Sequence, residues 1–348
     1  MSTTRILKLT LLLIIGGIFF GGIYSLDIVR KAYIPNVRII NDRETFLYIK
    51  SNYNYDSVIN DLAARKLLRN IKTFAWTANR KNYKSHVKAG RYLLKHRMSN
   101  NELINMLRSG NQEPVNLTFN NIRTKEQFAA IIAKQLEFEK QDLLELINSK
   151  EIQEKYGFND NTISCLFIPN TYQFFWNISA EGFIDRMYNE YQNFWKLGRR
   201  LKAEKLNMSY EEIITLASIV DEETKMDDEK DMVAGLYLNR INKGMRLQAD
   251  PTIIFALGDY SIRRVLNKHR KLDSPYNTYK YAGLPPGPIC YPEISSIDAV
   301  LNYTKHKYFY MCAKPDFSGY HNFARTLSEH NKNARAYQHE LNKKRIYR

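Results

Sequence analysis

The sequence predicts an α+β protein in three parts: an N-terminal transmembrane helix within 1–30, a small β-α-β unit within 31–120, and a larger mixed α/β domain over 121–348. Three observations predict it. Leu9 to Leu26 (LTLLLIIGGIFFGGIYSL) is an apolar run that no charge interrupts. A strand–helix–strand pattern occupies His86 to Phe119. The rest has mostly helical spacing, with a clear strand pair only at Tyr308 to Ala313 and His321 to Ala324.

The apolar run is about the minimum that spans a bilayer as a helix. A cleaved signal peptide competes, but Tyr24, Ser25 and Leu26 close the run without a small-x-small exit, which favours a retained single-pass anchor. Arg5 and Lys8 before it suggest a cytoplasmic N-terminus. Arg30, Lys31 and Arg38 after it leave the positive-inside signal ambiguous. Lys31 to Arg43 reads as a juxtamembrane linker, Thr45 to Ile49 as a short strand, and Asp56 to Leu68 as an amphipathic helix capped by Asp56. In the next unit a strand ends at Leu94, Ser99 or Asn100 caps a helix that Gly110 ends, and Pro114 to Phe119 forms a strand. Thr124 to Ile147 and Phe183 to Leu206 read as helices around an aromatic-rich stretch, Asn170 to Trp176.

Composition narrows the class without choosing a function. With 44% hydrophobic and 25% charged residues the chain is globular. The net charge of +16 suits nucleic acid, an anionic membrane face or an acidic polymer, and the basic residues are spread along the chain. A basic tail at Lys343, Lys344, Arg345 and Arg348 is equally a solvated helix end. The 24 tyrosines could stack on sugars, but packing explains most of them. Cys165, Cys290 and Cys312 form no CxxC pair, so they read as buried free thiols, and no metal site is expected. No phosphate loop, dinucleotide fingerprint, HExxH or GxSxG is present.

One carboxylate is misplaced by its periodicity. On a helix through Glu211 to Thr224, residues Ile213, Leu216, Ile219 and Val220 make an apolar stripe, and Glu223 falls inside it. Asp221 and Glu222 fall outside and read as solvated. Burial raises a carboxyl pKa toward the range a general acid needs. A frayed helix end or a buried arginine partner would explain Glu223 without chemistry.

The following segments hold the other candidates. Asp227 or Asp228 caps a helix over Asp231 to Asn242, ended by Gly244, with Val233, Leu236 and Tyr237 inward and Asn239 and Arg240 near the end of that face. Arg240 can bind a carboxylate or a sugar, or simply lie at the surface. Asp250-Pro251 reads as a helix start with Asp250 as N-cap, which explains that acid structurally; Gln248 has no such explanation. Tyr276 and Asn277 lead into the stiff loop Gly283 to Ile289, which can position binding groups or serve packing alone. Ser295 or Ser296 caps the next helix. Thr326 and Glu329 form a capping box for the last one, which leaves His330 and Asn331 open.

Together these segments resemble the YceG/MltG family of endolytic murein transglycosylases. The matching residues are Ala217-Ser218-Ile219-Val220 with Glu223-Thr224, Val233-Ala234-Gly235 with Asn239-Arg240, and Gly244 to Gln248 with Asp250-Pro251-Thr252. Tyr276 to Tyr279, Gly283 to Ile289 and Leu327 to Asn331 complete the set, in order and in rough register. Asp221 stands where the family usually has glutamate and Ala249 where threonine is usual, which leaves substrate detail open. The resemblance implies a LysM-like domain over 31–120, matched in layout more than in letters, and a YceG-like catalytic domain over 121–348. It makes Glu223 the catalytic residue and implies cleavage of the β-1,4 bond between N-acetylmuramic acid and N-acetylglucosamine.

The implied chemistry needs one carboxylate, because the muramic acid 6-hydroxyl attacks its own C1 and leaves a 1,6-anhydro end. Asn239, Arg240, Gln248, Asp250, Tyr276, Asn277, His330 and Asn331 are then the candidates for substrate binding. No metal or cofactor is required. The implied partners are nascent glycan strands, the cytoplasmic membrane through the single-pass helix, and wall synthases, with the catalytic domain on the extracytoplasmic side and a role in ending strands. Nucleic acid is not expected. A muramidase-type hydrolase would need a second carboxylate, with Asp250 or Asp221 as candidates. A membrane-tethered, non-catalytic wall-binding scaffold is the rival from another class.

Overall fold

A computed structural model describes residues 3–39 and 44–344, with side chains from residue 7. The Arg5 side chain, the end of the linker at Arg43, and Arg345 and Arg348 of the basic tail lie outside the described residues. The fold is mixed α+β, rich in helix, with three two-stranded sheets among the described residues. The chain divides into two compact units, Met1–Asn116 with Gln173–Ile178, and Leu117–Tyr172 with Ser179–Arg348.

The first unit begins with α1 (Thr3–Ala32), whose segment Leu7–Ala32 contains an unburied 18-residue window of mean hydropathy 2.1, so it is long and apolar enough to cross a membrane. Then follow β1 (Thr45–Ile49), α2 (Tyr55–Ala64), α3 (Ile71–Arg80), β2 (Gly90–Leu94) and α4 (Asn100–Ser109). β1 and β2 pair antiparallel with Leu47 opposite Tyr92, and the inward face of that pair joins Val58, Leu62, Phe74 and Leu103 in one core. The strand at 90–94 therefore pairs backward across two helices, and not with the strand that follows α4. The N-cap of α2 is Asn54, whose side chain accepts from the Ser57 amide; Asp56 sits in the first turn instead. Ser99, one of the two caps the sequence offers, caps α4 in a capping box with Glu102, and Gly110 ends the helix at φ +75° where the sequence places its end.

The chain leaves through β3 (Val115–Thr118), which pairs with β4 (Thr171–Phe174). In the second unit come α5 (Lys125–Ala133), α6 (Lys140–Asn148), α7 (Lys150–Lys155), α8 (Ala180–Phe194), α9 (Leu197–Leu206), α10 (Tyr210–Glu223), α11 (Lys230–Asn242), α12 (Asp250–Leu257) and α13 (Ile294–Leu301). The hairpin β5 (Tyr310–Ala313) and β6 (His321–Ala324) precedes α14 (Leu327–Lys343). The two long helices expected at 124–147 and 183–206 are each broken, the first by a turn before Glu139 and the second at Trp195–Lys196. Two caps also move. Glu229, after a short 3₁₀ turn, and not Asp227 or Asp228, precedes α11, and Glu293, not Ser295 or Ser296, precedes α13.

α10 is the axis of this unit. Ser209 and Glu212 close its N-terminus in a capping box, and Ile213 through Val220 are buried on every side, packed by α11 and α13. The stiff loop docks on it: the Ser218 hydroxyl accepts from the Ile289 amide at 3.0 Å. α11 meets the 304–306 segment so closely that a Cβ at Gly235 would lie 2.4 Å from the Thr304 carbonyl oxygen, so only glycine fits there. Cys165 and Cys290 are buried thiols, and Cys312 is half-buried.

Candidate active site

The last turn of α10 carries three acids with three different surroundings. Asp221 is buried, not solvated as its place outside the stripe suggested. Its Oδ1 accepts from the Ser296 hydroxyl at 2.5 Å and lies 3.4 Å from Lys230 Nζ. Lys230, itself buried, also reaches Asp227 at 2.8 Å, Glu293 at 3.5 Å and the Ser295 hydroxyl at 2.8 Å. Burial works against its charge, yet these acids hold its pKa above the usual lysine value. Glu222 is also not free in solvent, since Arg123 Nη2 reaches it at 2.7 Å.

Among the described residues Glu223 has no cationic partner in contact. Its Oε1 accepts a hydrogen bond at 2.7 Å from the hydroxyl of Tyr237, two turns into the neighbouring helix α11. Desolvation pushes the Glu223 carboxyl from its ordinary 4.5 up to about 7. The Tyr237 hydrogen bond and Arg240 oppose that rise, while the charges of Asp250 and Glu222 add to it. Tyr237 is buried, and its phenol is held well above the usual tyrosine range, first by burial and then by Glu223, so it remains a donor. The result is a carboxyl group that is half-protonated near neutrality and oriented by one neutral hydroxyl.

Thr224 ends α10 in extended conformation, and its hydroxyl donates to Glu229 at 3.2 Å. Glu229 is buried and also accepts from the His321 amide and ring, both at 2.7 Å. This ties the chain leaving Glu223 to the start of β6.

The other sequence candidates separate into two groups. Asn239 donates to the carbonyls of His306 and Tyr308 at 2.9 and 3.0 Å. Arg240 is buried and donates to the carbonyls of Phe309 and Leu247, both at 2.6 Å. Asn277 is wholly buried and closes its own loop through the carbonyls of Arg270 and Leu272. These three side chains hold backbone in place. Tyr276 packs on Phe255 with ring centroids 4.7 Å apart and lines a cavity of about 340 Å³ with Arg123, Asn161 and Tyr260.

Asp250 is the first residue of α12, not its N-cap, which is Ala249. Its carboxylate accepts from the Tyr279 hydroxyl at 2.5 Å and lies 3.5 Å from Arg270. Gln248 is exposed and has φ +51°, a left-handed conformation that costs a non-glycine residue about 1 kcal/mol. The Gln248 amide is held by the Thr278 carbonyl at 3.1 Å, so the loop before Asp250 is fixed. His330 stacks on Tyr310, its Nδ1 is buried without a hydrogen-bond partner, and burial with nearby Arg240 lowers its pKa. Asn331 is exposed on α14.

The structure thus brings Glu223, Arg240 and Asp250 into one electrostatic neighbourhood and adds Tyr237 and Tyr279, neither of which was singled out as a site residue. Tyr237 was legible only as an inward residue, because a tyrosine on an apolar face carries no mark of what its hydroxyl reaches. Among the described residues no group of three or more His, Cys, Asp or Glu side chains could hold a metal ion.

Comparison with known proteins gives one consistent result. Residues 47–336 match the model of the YceG-like family. The chain is 30% identical over 348 residues to the endolytic murein transglycosylase of Bacillus subtilis, covering 95% of this chain and 93% of the relative. It is 28% identical to the endolytic murein transglycosylase of Streptococcus pneumoniae D39, covering 87% of this chain and 59% of that longer protein. Its fold is similar to the crystal structure of a YceG-like protein from Listeria monocytogenes, with TM-score 0.55 and 29% identity over 84% of this chain and 99% of that one.

Proposed function

The chain belongs to the YceG-like family, and we propose that it is an endolytic murein transglycosylase in which Glu223 is the general acid and then the general base. The observation that carries the reading is the Glu223 carboxyl, pushed up to about 7 by burial and oriented by Tyr237. Protonated Glu223 gives its proton to the glycosidic oxygen as the bond from muramic acid C1 to O4 of the next N-acetylglucosamine breaks. The Glu223 carboxylate then takes the proton of the muramic acid 6-hydroxyl as O6 bonds to C1. The products are a free 4-hydroxyl and a 1,6-anhydro end, no water is consumed, and Glu223 returns to its starting form. One protein carboxylate suffices because the nucleophile belongs to the substrate, unlike the two-carboxylate glycosidases.

Within this reading the exposed Gln248 and Asn331, the carboxylate of Asp250, the half-buried His330 and the cavity at Tyr276 serve the glycan strand directly. Asn239, Arg240 and Asn277 support it by fixing the backbone around these groups. α1 is a single-pass anchor that keeps both units on the extracytoplasmic side of the cytoplasmic membrane, where nascent strands emerge. Cutting there ends strand growth and places the enzyme beside wall synthases. A LysM-like role for the first unit in holding glycan belongs to the same proposal.

Mass spectrometry of glycan strands digested by the full chain in detergent, beside Glu223→Gln, tests the proposal. Anhydro-muramyl ends from the parent and none from the variant are expected. Reducing ends would make it a hydrolase, and strand binding without new ends would make it a scaffold.

A further inference from the structure

α1 does not behave as a loose tether. Its last residue, Ala32, is buried, and the Lys31 carbonyl accepts from Asn100 Nδ2 at 2.8 Å and from the Thr77 hydroxyl at 3.3 Å. α3 and α4 therefore grip the end of α1, and the first unit moves with it. This packing brings the outer face of α3 alongside the apolar helix. Arg80 hydrogen-bonds the Tyr24 hydroxyl, and its guanidinium lies 5.0 Å from the Trp76 ring centroid and 5.8 Å from that of Tyr24. Lys31 Nζ lies 4.9 Å over the same Trp76 ring.

The level of this cluster along α1 is what matters. The apolar run ends at Leu26, and Tyr24 lies two residues before that end, about 3 Å at 1.5 Å per residue. The run of 18 residues is about 27 Å long, close to a bilayer's hydrocarbon thickness of about 30 Å. A helix that buries this run therefore holds Tyr24, Trp76 and Arg80 at the boundary between acyl chains and headgroups. Large apolar side chains continue outward from there, with Tyr33 58% and Ile34 51% exposed just past the helix. The cations at this level are Arg30, Lys31 and Arg80. Among them Lys31 engages the acid Asp27 at 2.5 Å. Amphipathic rings beside cations on long apolar stems are what the interface selects, and the cations complement lipid phosphate.

We propose that the face formed by Tyr24, Trp76 and Arg80 is a docking site for anionic phospholipid headgroups, which seats the first unit directly on the membrane surface. The proposal rests on α1 spanning the bilayer as read above. Its consequence is that the distance of the first unit from the membrane is fixed by the α1–α3 contact and not by a flexible linker.

The full chain reconstituted in nanodiscs tests this, with phosphatidylcholine alone or with 30% phosphatidylglycerol, each made with acyl chains brominated close to the headgroup. Alkaline carbonate extraction of matching vesicles reports anchoring separately, so failure of the anchor and failure of the docking are distinguishable. Retention after carbonate should accompany tryptophan quenching that Trp76→Phe removes, leaving only the signal of Trp176 and Trp195. Amide exchange over 76–82 should slow at least threefold on adding phosphatidylglycerol, and Arg80→Glu should cancel that slowing without releasing the protein. A retained protein whose quenching is the same in Trp76→Phe would overturn the docking. Slowing that is equal in both lipids would overturn the preference for anionic headgroups.

Discussion

Asp221 and Glu223 lie two residues apart at the end of one helix, the first buried and the second half-buried, and their environments differ in kind. Asp221 meets a buried ammonium, Lys230, and a buried hydroxyl, Ser296, and so belongs to a closed ionic network between α10, α11 and α13. Among the described residues Glu223 meets the neutral Tyr237 hydroxyl in contact, and it feels Arg240 and two further acids nearby. Burial alone therefore does not make a carboxylate chemically useful. On the proposed reading the useful one is the acid whose desolvation is left largely uncompensated, and the compensated neighbour serves to hold it in position.

This contrast can be broken from either side, and the largest effect is expected at the uncompensated acid. Glu223→Gln keeps shape and removes the transferable proton, so strand cleavage should fall by about 10²–10⁴-fold or more. The same variant should stabilise the fold at alkaline pH. The folded-state pKa of Glu223 is above its unfolded value, so from about 4.5 to about 7 the folded chain holds a proton that the unfolded chain has released. Stability declines through that window and the penalty is complete above it. Removing the group should recover on the order of 1–3 kcal/mol at pH 8, measured by urea denaturation beside the parent, and nothing at pH 4.

The compensated side should respond in stability first. Lys230→Met strands Asp221 in the interior and is expected to cost about 3–5 kcal/mol, with Asp221→Asn added to it restoring part of the loss. Denaturation midpoints of the single and double variants check this; equal midpoints in Lys230→Met and the parent would deny that the network is structural.

Smaller effects should separate the groups that tune Glu223. Tyr237→Phe removes a hydrogen bond that lowers the Glu223 pKa, so the alkaline limb of the pH–rate profile should move upward while kcat falls about tenfold. Asp250→Asn removes a charge that raises it, so the limb should move downward. Movement of both limbs in one direction would refute the assignment of these two influences.

How much of this the sequence carried follows the range of the forces involved. Glu223 was legible because helical periodicity is local: its place in the stripe of Ile219 and Val220 needs only neighbours three and four residues away. The capping box at Thr326 was legible for the same reason. Asp221 was misread because its partners, Lys230 and Ser296, are 9 and 75 residues further along the chain. The pairing of β2 with β1 was likewise hidden, since α2 and α3 intervene between strands whose own patterns do not name a partner. Asn239, Arg240 and Asn277 were legible as polar candidates near the site, but not the backbone carbonyls they donate to, which carry no sequence signature.

The most direct test of the central claim is the titration of the Glu223 carboxyl itself, followed by carbon NMR of glutamate-labelled full chain and assigned by subtraction of the Glu223→Gln spectrum. The account requires a midpoint near 7 that rises in Tyr237→Phe. A midpoint near the ordinary 4.5 would show that the carboxyl is already ionised at neutral pH, and would contradict its role as the proton donor.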